Sequence, residues 1–271
     1  MRGFAHLGVL SALERMRVPI GRIVGTSMGA VVGLAYAFRP DAAALTERML
    51  DRTKEISRAS WLSPIMRLVG SILKPEKRMI AELKELFGTA TFDNCLVDAA
   101  AVAVDLKCGD VVTITEGSLW RAAYSSAAVP GVYSPETDAE KLLTDGGVLA
   151  MIPVKEARRI GGKRIVAVDV GRNLGPMSDS PSAGEVRERI RRLVEQHLTR
   201  AALEDADLVL RPDVGRFAWN EFEHAEECVE AGRSAVEEAE SAIARLTSFW
   251  SWLPWWTPRE WGDVGQHRDS Q

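Results

Sequence analysis

The sequence predicts an α/β protein built on a parallel or mixed, mostly parallel, central sheet with helices on both faces. Three observations carry this. Runs with helical apolar spacing alternate along the chain with short strand-like runs. Gly25-Thr26-Ser27-Met28-Gly29 sits where one such strand meets a helix. The 271 residues, 46% of them hydrophobic, suffice for one large core, and no linker is marked enough to divide them.

The elements follow in order. Residues 4–16 carry Phe4, Leu7, Val9, Leu10, Leu13 and Met16 at close to helical spacing, and Pro19 ends the run. Residues 20–24 read as a short buried strand. From 30 to 38 small and apolar residues dominate all round, as in a helix buried on most faces. Residues 41–58 and 76–87 read as surface helices, with a wide apolar stripe between them (Trp61, Leu62, Ile65, Met66, Leu68, Val69) flanked by Arg58, Arg67 and Lys74. Strand-like runs at 100–106 and 111–115 are separated by the turn Cys108-Gly109-Asp110. A helix near 119–128, a loop with Pro130 and Gly131, and Asp145-Gly146-Gly147 come next. A short helix at 154–160, capped by Gly161-Gly162, leads into a strand at 164–170. After a Pro/Ser/Gly-rich loop come a charged helix over 185–203, a strand over 207–211 and a final helix over 222–246. The tail past Thr247 is rich in tryptophan.

Composition removes several function classes. Thirty-four basic and 38 acidic residues leave a formal charge of -4, which argues against a nucleic-acid partner. Cys95, Cys108 and Cys228 are far apart and odd in number, so neither a disulfide framework nor a structural metal site is expected. A reducing compartment fits that usage. No stretch reaches the roughly 20 apolar residues of a membrane-spanning helix. The first 16 residues have a superficial likeness to a signal peptide, but Glu14 and Arg15 interrupt it and no small-residue cleavage site follows. We read them as a helix of the fold, and the expected location is cytoplasmic, peripheral at the inner membrane surface.

Gly25–Gly29 has the Gly-x-Ser-x-Gly pattern of a nucleophile elbow. Such an elbow needs a strand before it and a helix after it, and both are expected here. The helix N-terminus beginning at Met28 would put partial positive charge beside a developing oxyanion. The plainer reading is a glycine-lined turn with an incidental serine. His6, His197, His224 and His267 offer no histidine base: the first lies in an apolar helix, the next two in charged helical stretches, the last in a polar tail. Asp145-Gly146-Gly147 offers a different base, since a carboxylate within hydrogen-bond reach can take the serine proton directly. Partial burial would raise its pKa toward a usable value. Taken alone, Asp-Gly-Gly is more often a turn.

Together these segments resemble the patatin-like phospholipases of bacterial type. The resemblance rests on residues 2–10 (Arg2-Gly3-Phe4-Ala5-His6-Leu7-Gly8-Val9-Leu10), the elbow, residues 125–133, Asp145-Gly146-Gly147 with Pro153, and residues 206–212, all in the right order. It implies a three-layer α/β/α sandwich in which Ser27 attacks an ester carbonyl and Asp145 takes its proton. An acyl-enzyme forms and water then releases a fatty acid from the lipid ester substrate, with no metal or organic cofactor. Gly25, Gly29, Gly146 and Gly147 are the motif glycines, and Arg2, Gly3 and Met28 are the candidates for the oxyanion site. Residues 1–247 are then one domain, with 248–271 a Trp-rich tail.

The chain departs from the family at its start, where the glycines and the apolar strand that precede Arg-Gly in the family are not found. Either this start lies downstream of the native one, or the chain is a weak or inactive homologue that binds lipid or protein. The intact Ser27 and Asp145 favour the first. An acyl transferase is a further alternative, since it shares the acyl-enzyme. Residues 58–78, an apolar stripe with basic flanks, and 249–261, with the tryptophans, are the candidate membrane-surface contacts. The same patterns also suit a core helix and a cap over an apolar groove.

Overall fold

The computed structural model describes residues 1–61, 75–171, 173–217 and 221–248. Most of the apolar stripe between 58 and 78, and all of the tail at 249–261, lie outside those residues. After a single 3₁₀ turn at Arg2–Phe4, the chain forms α1 (Ala5–Arg15), β1 (Arg22–Thr26), α2 (Met28–Phe38), α3 (Ala42–Trp61) and α4 (Pro75–Phe87). Then come β2 (Asp98–Asp105), β3 (Val111–Ile114), α5 (Leu119–Ala127), β4 (Glu136–Asp138) and β5 (Lys141–Asp145). The last elements are α6 (Val154–Arg159), β6 (Val166–Val168), α7 (Ala183–Leu203), β7 (Leu208–Leu210), α8 (Ala225–Glu238) and α9 (Glu240–Ser248).

This is the α/β arrangement expected, a central sheet flanked by helices. Its pairing is mixed. β1 runs parallel to β2, while β3 and β5 run antiparallel to it and β4 forms a hairpin with β5. β6 and β7 form a separate parallel pair. The core follows from composition: α2 is apolar all round and is buried along most of its length, against Leu7 of α1, Ala101 of β2 and Tyr124 of α5. α1 and α8 cross at very close range. A Cβ at Gly8 would stand 1.8 Å from the Val229 carbonyl oxygen, and one at Gly232 would stand 2.0 Å from that of Ala5. Glycine at both positions lets the two backbones touch.

The register of β2 decides where the site lies. β3 pairs with Ala101–Val104, overlapping both other partners, so it occupies one edge. A strand has two edges. β1, opposite residues 98–102, and β5, opposite residues 103–105, therefore share the other. The two strands approach from opposite directions and meet end to end, with Thr26 opposite Val102 and Asp145 opposite Ala103. Their backbones are separated by one residue of strand rise, about 3.3 Å along β2.

Candidate active site

Both chains must turn sharply away from that collision. β1 does so at Ser27, whose φ of 55° and ψ of -127° lie in a region that L residues rarely adopt. Gly25 makes the turn sterically feasible, since a Cβ there would sit 2.4 Å from the Gly29 carbonyl oxygen. β5 turns through a 3₁₀ turn at Gly146–Val148, and a Cβ at Gly146 would lie 2.3 Å from the Val102 carbonyl oxygen. Gly25 and Gly146 thus mark where backbone meets backbone, whereas a Cβ at Gly29 or Gly147 would meet side chains, of His6 and of Met151 and Asp145.

The elbow is held from below by Ser126, fully buried on α5. The Ser27 N–H donates to the Ser126 carbonyl at 3.1 Å and to the Ser126 hydroxyl at 3.0 Å. That hydroxyl in turn donates to the Val102 carbonyl at 2.6 Å. The Thr26 hydroxyl donates to the Ala150 carbonyl at 2.8 Å, and the Asp145 N–H to the Ala128 carbonyl at 3.1 Å. Sequence reasoning does not single out Ser126 as a functional residue. Its partners are 24 and 99 residues away, and no local pattern announces such bonds.

Asp145 is buried, 5% exposed, at the end of β5. Its carboxylate accepts the Gly147 N–H at 2.7 Å, and the Ser27 side chain is near enough to favour its ionised form. Burial pushes the carboxyl above the ordinary carboxylate range. The Ser27 side chain and the Gly147 N–H oppose that rise, and the Glu195 carboxylate of α7 adds to it. Ser27 caps α2 and its carbonyl accepts from the Ala30 and Val31 N–H groups, which leaves those of Met28 and Gly29 without an acceptor in the helix.

The remaining candidates lie around this pair. A Cβ at Gly3 would overlap the Met28 side chain, so the 3₁₀ turn packs directly on the start of α2. The Arg2 guanidinium donates to the Val170 carbonyl at 3.0 Å. His6 lies in α1 as expected, and its Nδ1 is 2.8 Å from the Gly3 carbonyl. Burial holds this imidazole below its usual pKa, so Nδ1–H donates and the ring stays neutral near pH 7. His197 lies on α7, and His224 pairs with Glu227 outside the cleft. Among the described residues, no group of three or more His, Cys, Asp or Glu side chains could hold a metal ion.

Ser27, Asp145, Met28, Gly3, Arg2 and His6 all line one cleft of about 2170 Å³. It extends along the free edge of β1 to β6, the inner walls being largely aliphatic (Ile20, Ile23, Val166 and Val168 among them).

Comparison with known proteins agrees in scope. The model of the patatin-like phospholipase family matches residues 1–158. An uncharacterised NTE family protein of Mycobacterium bovis is 34% identical over 186 residues, covering 66% of this chain and 49% of its own. Patatin-like phospholipase domain-containing protein 6 of Mus musculus is 30% identical over 180 residues, covering 63% of this chain and 13% of its own. The chain spans about half the length of the first of these relatives and a small part of the second. The crystal structure of VipD from Legionella pneumophila shares the fold, with a TM-score of 0.51 at 12% identity over 89% of this chain and 65% of that one. The chain belongs to the patatin-like phospholipase family, whose members generally hydrolyse lipid esters.

Proposed function

We propose that this chain is a serine lipid acyl hydrolase, of phospholipase A or carboxylesterase type, that works through a Ser27–Asp145 dyad. The observation that carries the reading is the juxtaposition of Ser27, on a strained elbow, with Asp145, a buried carboxylate whose pKa burial pushes up and the Ser27 side chain draws back down. An ionised Asp145 accepts the serine proton as Oγ bonds to the ester carbonyl carbon. The oxyanion that forms lies at the N-terminus of α2, where the Met28 N–H and the helix dipole stabilise it. The Ser27 N–H is already committed to Ser126, so it is not the donor. Gly3 supports this site through its packing on Met28, and Arg2 fixes the turn to the end of β6.

Asp145 then returns the proton to the leaving alcohol, and the acyl group stays on Ser27. Water, deprotonated by Asp145, attacks the acyl-enzyme and frees the fatty acid. No metal or organic cofactor enters this scheme. The family's lipid-ester substrates support a lipid acyl chain over a compact ester. We place residues 1–247 in one catalytic domain with 248–271 as its tail, acting from the cytoplasm at the inner membrane surface. No described helix is long and apolar enough to cross a membrane, which is consistent with peripheral contact.

Fatty-acid release from a diacyl phospholipid, measured by mass spectrometry, tests the reading. Wild type is expected to release acid, with Ser27→Ala and Asp145→Asn each slower by at least about a hundredfold. Equal release by wild type and Ser27→Ala would exclude the dyad. Release of no acid by the wild-type chain would favour the binding-protein alternative.

A further inference from the structure

α7 is amphipathic in the reverse sense for a helix lying on a protein. None of its residues is buried. Its polar residues Glu188, Arg192, Glu195, Gln196 and Thr199 line the cleft and are half-buried, while Ile190, Leu193, Val194 and Leu198 are 55%, 48%, 54% and 37% exposed, Val194 alone of these four also reaching the cleft. These four recur at the three- and four-residue spacing that makes one continuous stripe. A helix normally turns that stripe inward.

The stripe is not isolated. Eleven large apolar side chains are exposed among the described residues, and nine of them fall in 129–149 and 177–198. Val129, Val132 and Val148 stand on the rim of the cleft that holds Ser27 and Asp145. Exposed apolar surface is therefore gathered around the cleft mouth, where scattered single residues would need no explanation.

Charge decides what fits there. α7 carries five arginines and three glutamates, in a chain whose net charge is -4. Arg187, Arg191, His197 and Arg200 are exposed beside the stripe, Arg191 and Arg200 also reaching the cleft, whereas Glu188 and Glu195 are half-buried against the cleft and engage Arg191. The outward face is apolar with basic margins. A second copy of the chain would oppose arginine to arginine across such a stripe. An anionic lipid surface satisfies both features, since its acyl region takes the aliphatic side chains and its head groups take the cations.

We propose that α7, together with the Val129–Val132 and Val148–Leu149 rims, is the surface by which this protein docks on anionic membranes. Docked in this way, the cleft opens onto the bilayer, and a lipid reaches Ser27 without crossing water. That orientation rests on the hydrolase reading; the docking itself does not.

The test is co-sedimentation of the full chain with phosphatidylcholine vesicles, with and without phosphatidylglycerol. The variants are Ile190→Asp/Leu193→Asp, neither of which lines the cleft, and Leu96→Asp. Leu96 is equally exposed but precedes β2, at the opposite end of the sheet from Ser27. Wild type and Leu96→Asp should sediment with the anionic vesicles, and the double variant should bind about tenfold less well, the order expected for removing two apolar contacts. Thermal midpoint serves as the folding control, and turnover of a short soluble ester should be unchanged in the double variant. Undiminished binding of the double variant, or no binding by wild type, overturns the proposal. So does a wild-type dimer that the double variant converts to monomer. If no form hydrolyses any ester while the binding pattern holds, the hydrolase reading fails and the docking surface stands.

Discussion

Thr26 and Asp145 occupy consecutive places along one edge of β2, opposite Val102 and Ala103, so β1 and β5 end against each other. This relationship brings the elbow serine and the buried carboxylate to one point of the sheet without any long side chain having to bridge it. The strain at Ser27, the close approach of Gly146 and the burial of Asp145 all follow from two strands ending at one point. Each has a measurable consequence.

Ser126 ties the elbow to β2 through its hydroxyl, which accepts the Ser27 N–H and donates to the Val102 carbonyl. Ser126→Ala removes both bonds in a fully buried place. It should cost about 1–3 kcal/mol in chemical denaturation. By letting the elbow drift, it should also lower kcat about tenfold or more on a short ester while KM changes little. A loss confined to KM would mean that Ser126 shapes the cleft and not the elbow.

The backbone of Ser27 suits glycine better than any residue with a Cβ. Both Ser27→Ala and Ser27→Gly should abolish hydrolysis. The glycine variant should be the more stable of the two by about 1 kcal/mol, since strain of this kind costs about 1–3 kcal/mol and the added freedom of unfolded glycine offsets part of it. Equal midpoints in urea would show that the elbow stores no strain.

Asp145 has its pKa raised in the folded protein, so the fold binds a proton there that the unfolded chain has already lost. Stability from this group is then greatest below the unfolded value of 3.8 and falls as pH rises through the window up to the raised native value. Activity needs the ionised form and rises over the same window. Asp145→Asn should remove this contribution to the fall in stability and should flatten the acid limb of the rate profile. An acid limb at the ordinary aspartate pKa would contradict the burial argument.

The parts of the site that depend on local sequence are legible in the amino-acid order itself. Gly25, Ser27 and Gly29 announce an elbow because the turn needs those residue types at that spacing, and Asp145-Gly146-Gly147 announces a second tight turn. Their meeting is not legible from spacing, because it depends on the register of β2, which pairing among distant strands sets. The β4–β5 hairpin gives little signal because residues 136–145 are mostly polar, with Leu142 and Leu143 as the large apolar markers. The final helix reads as continuous from 222 to 246, yet it is a 3₁₀ turn followed by two helices that part at Ala239, with no glycine or proline there to signal the break. The charged run at 185–203 is legible as a helix, but which of its faces turns outward is a property of the packed structure.

The most direct measurement is reaction with a fluorophosphonate probe, followed by peptide mapping of the adduct in wild type, Ser27→Ala and Asp145→Asn. The dyad predicts a single adduct on Ser27, none in Ser27→Ala, and labelling of Asp145→Asn slower by about a hundredfold or more. An adduct on another residue, or labelling of Asp145→Asn at the wild-type rate, would contradict it.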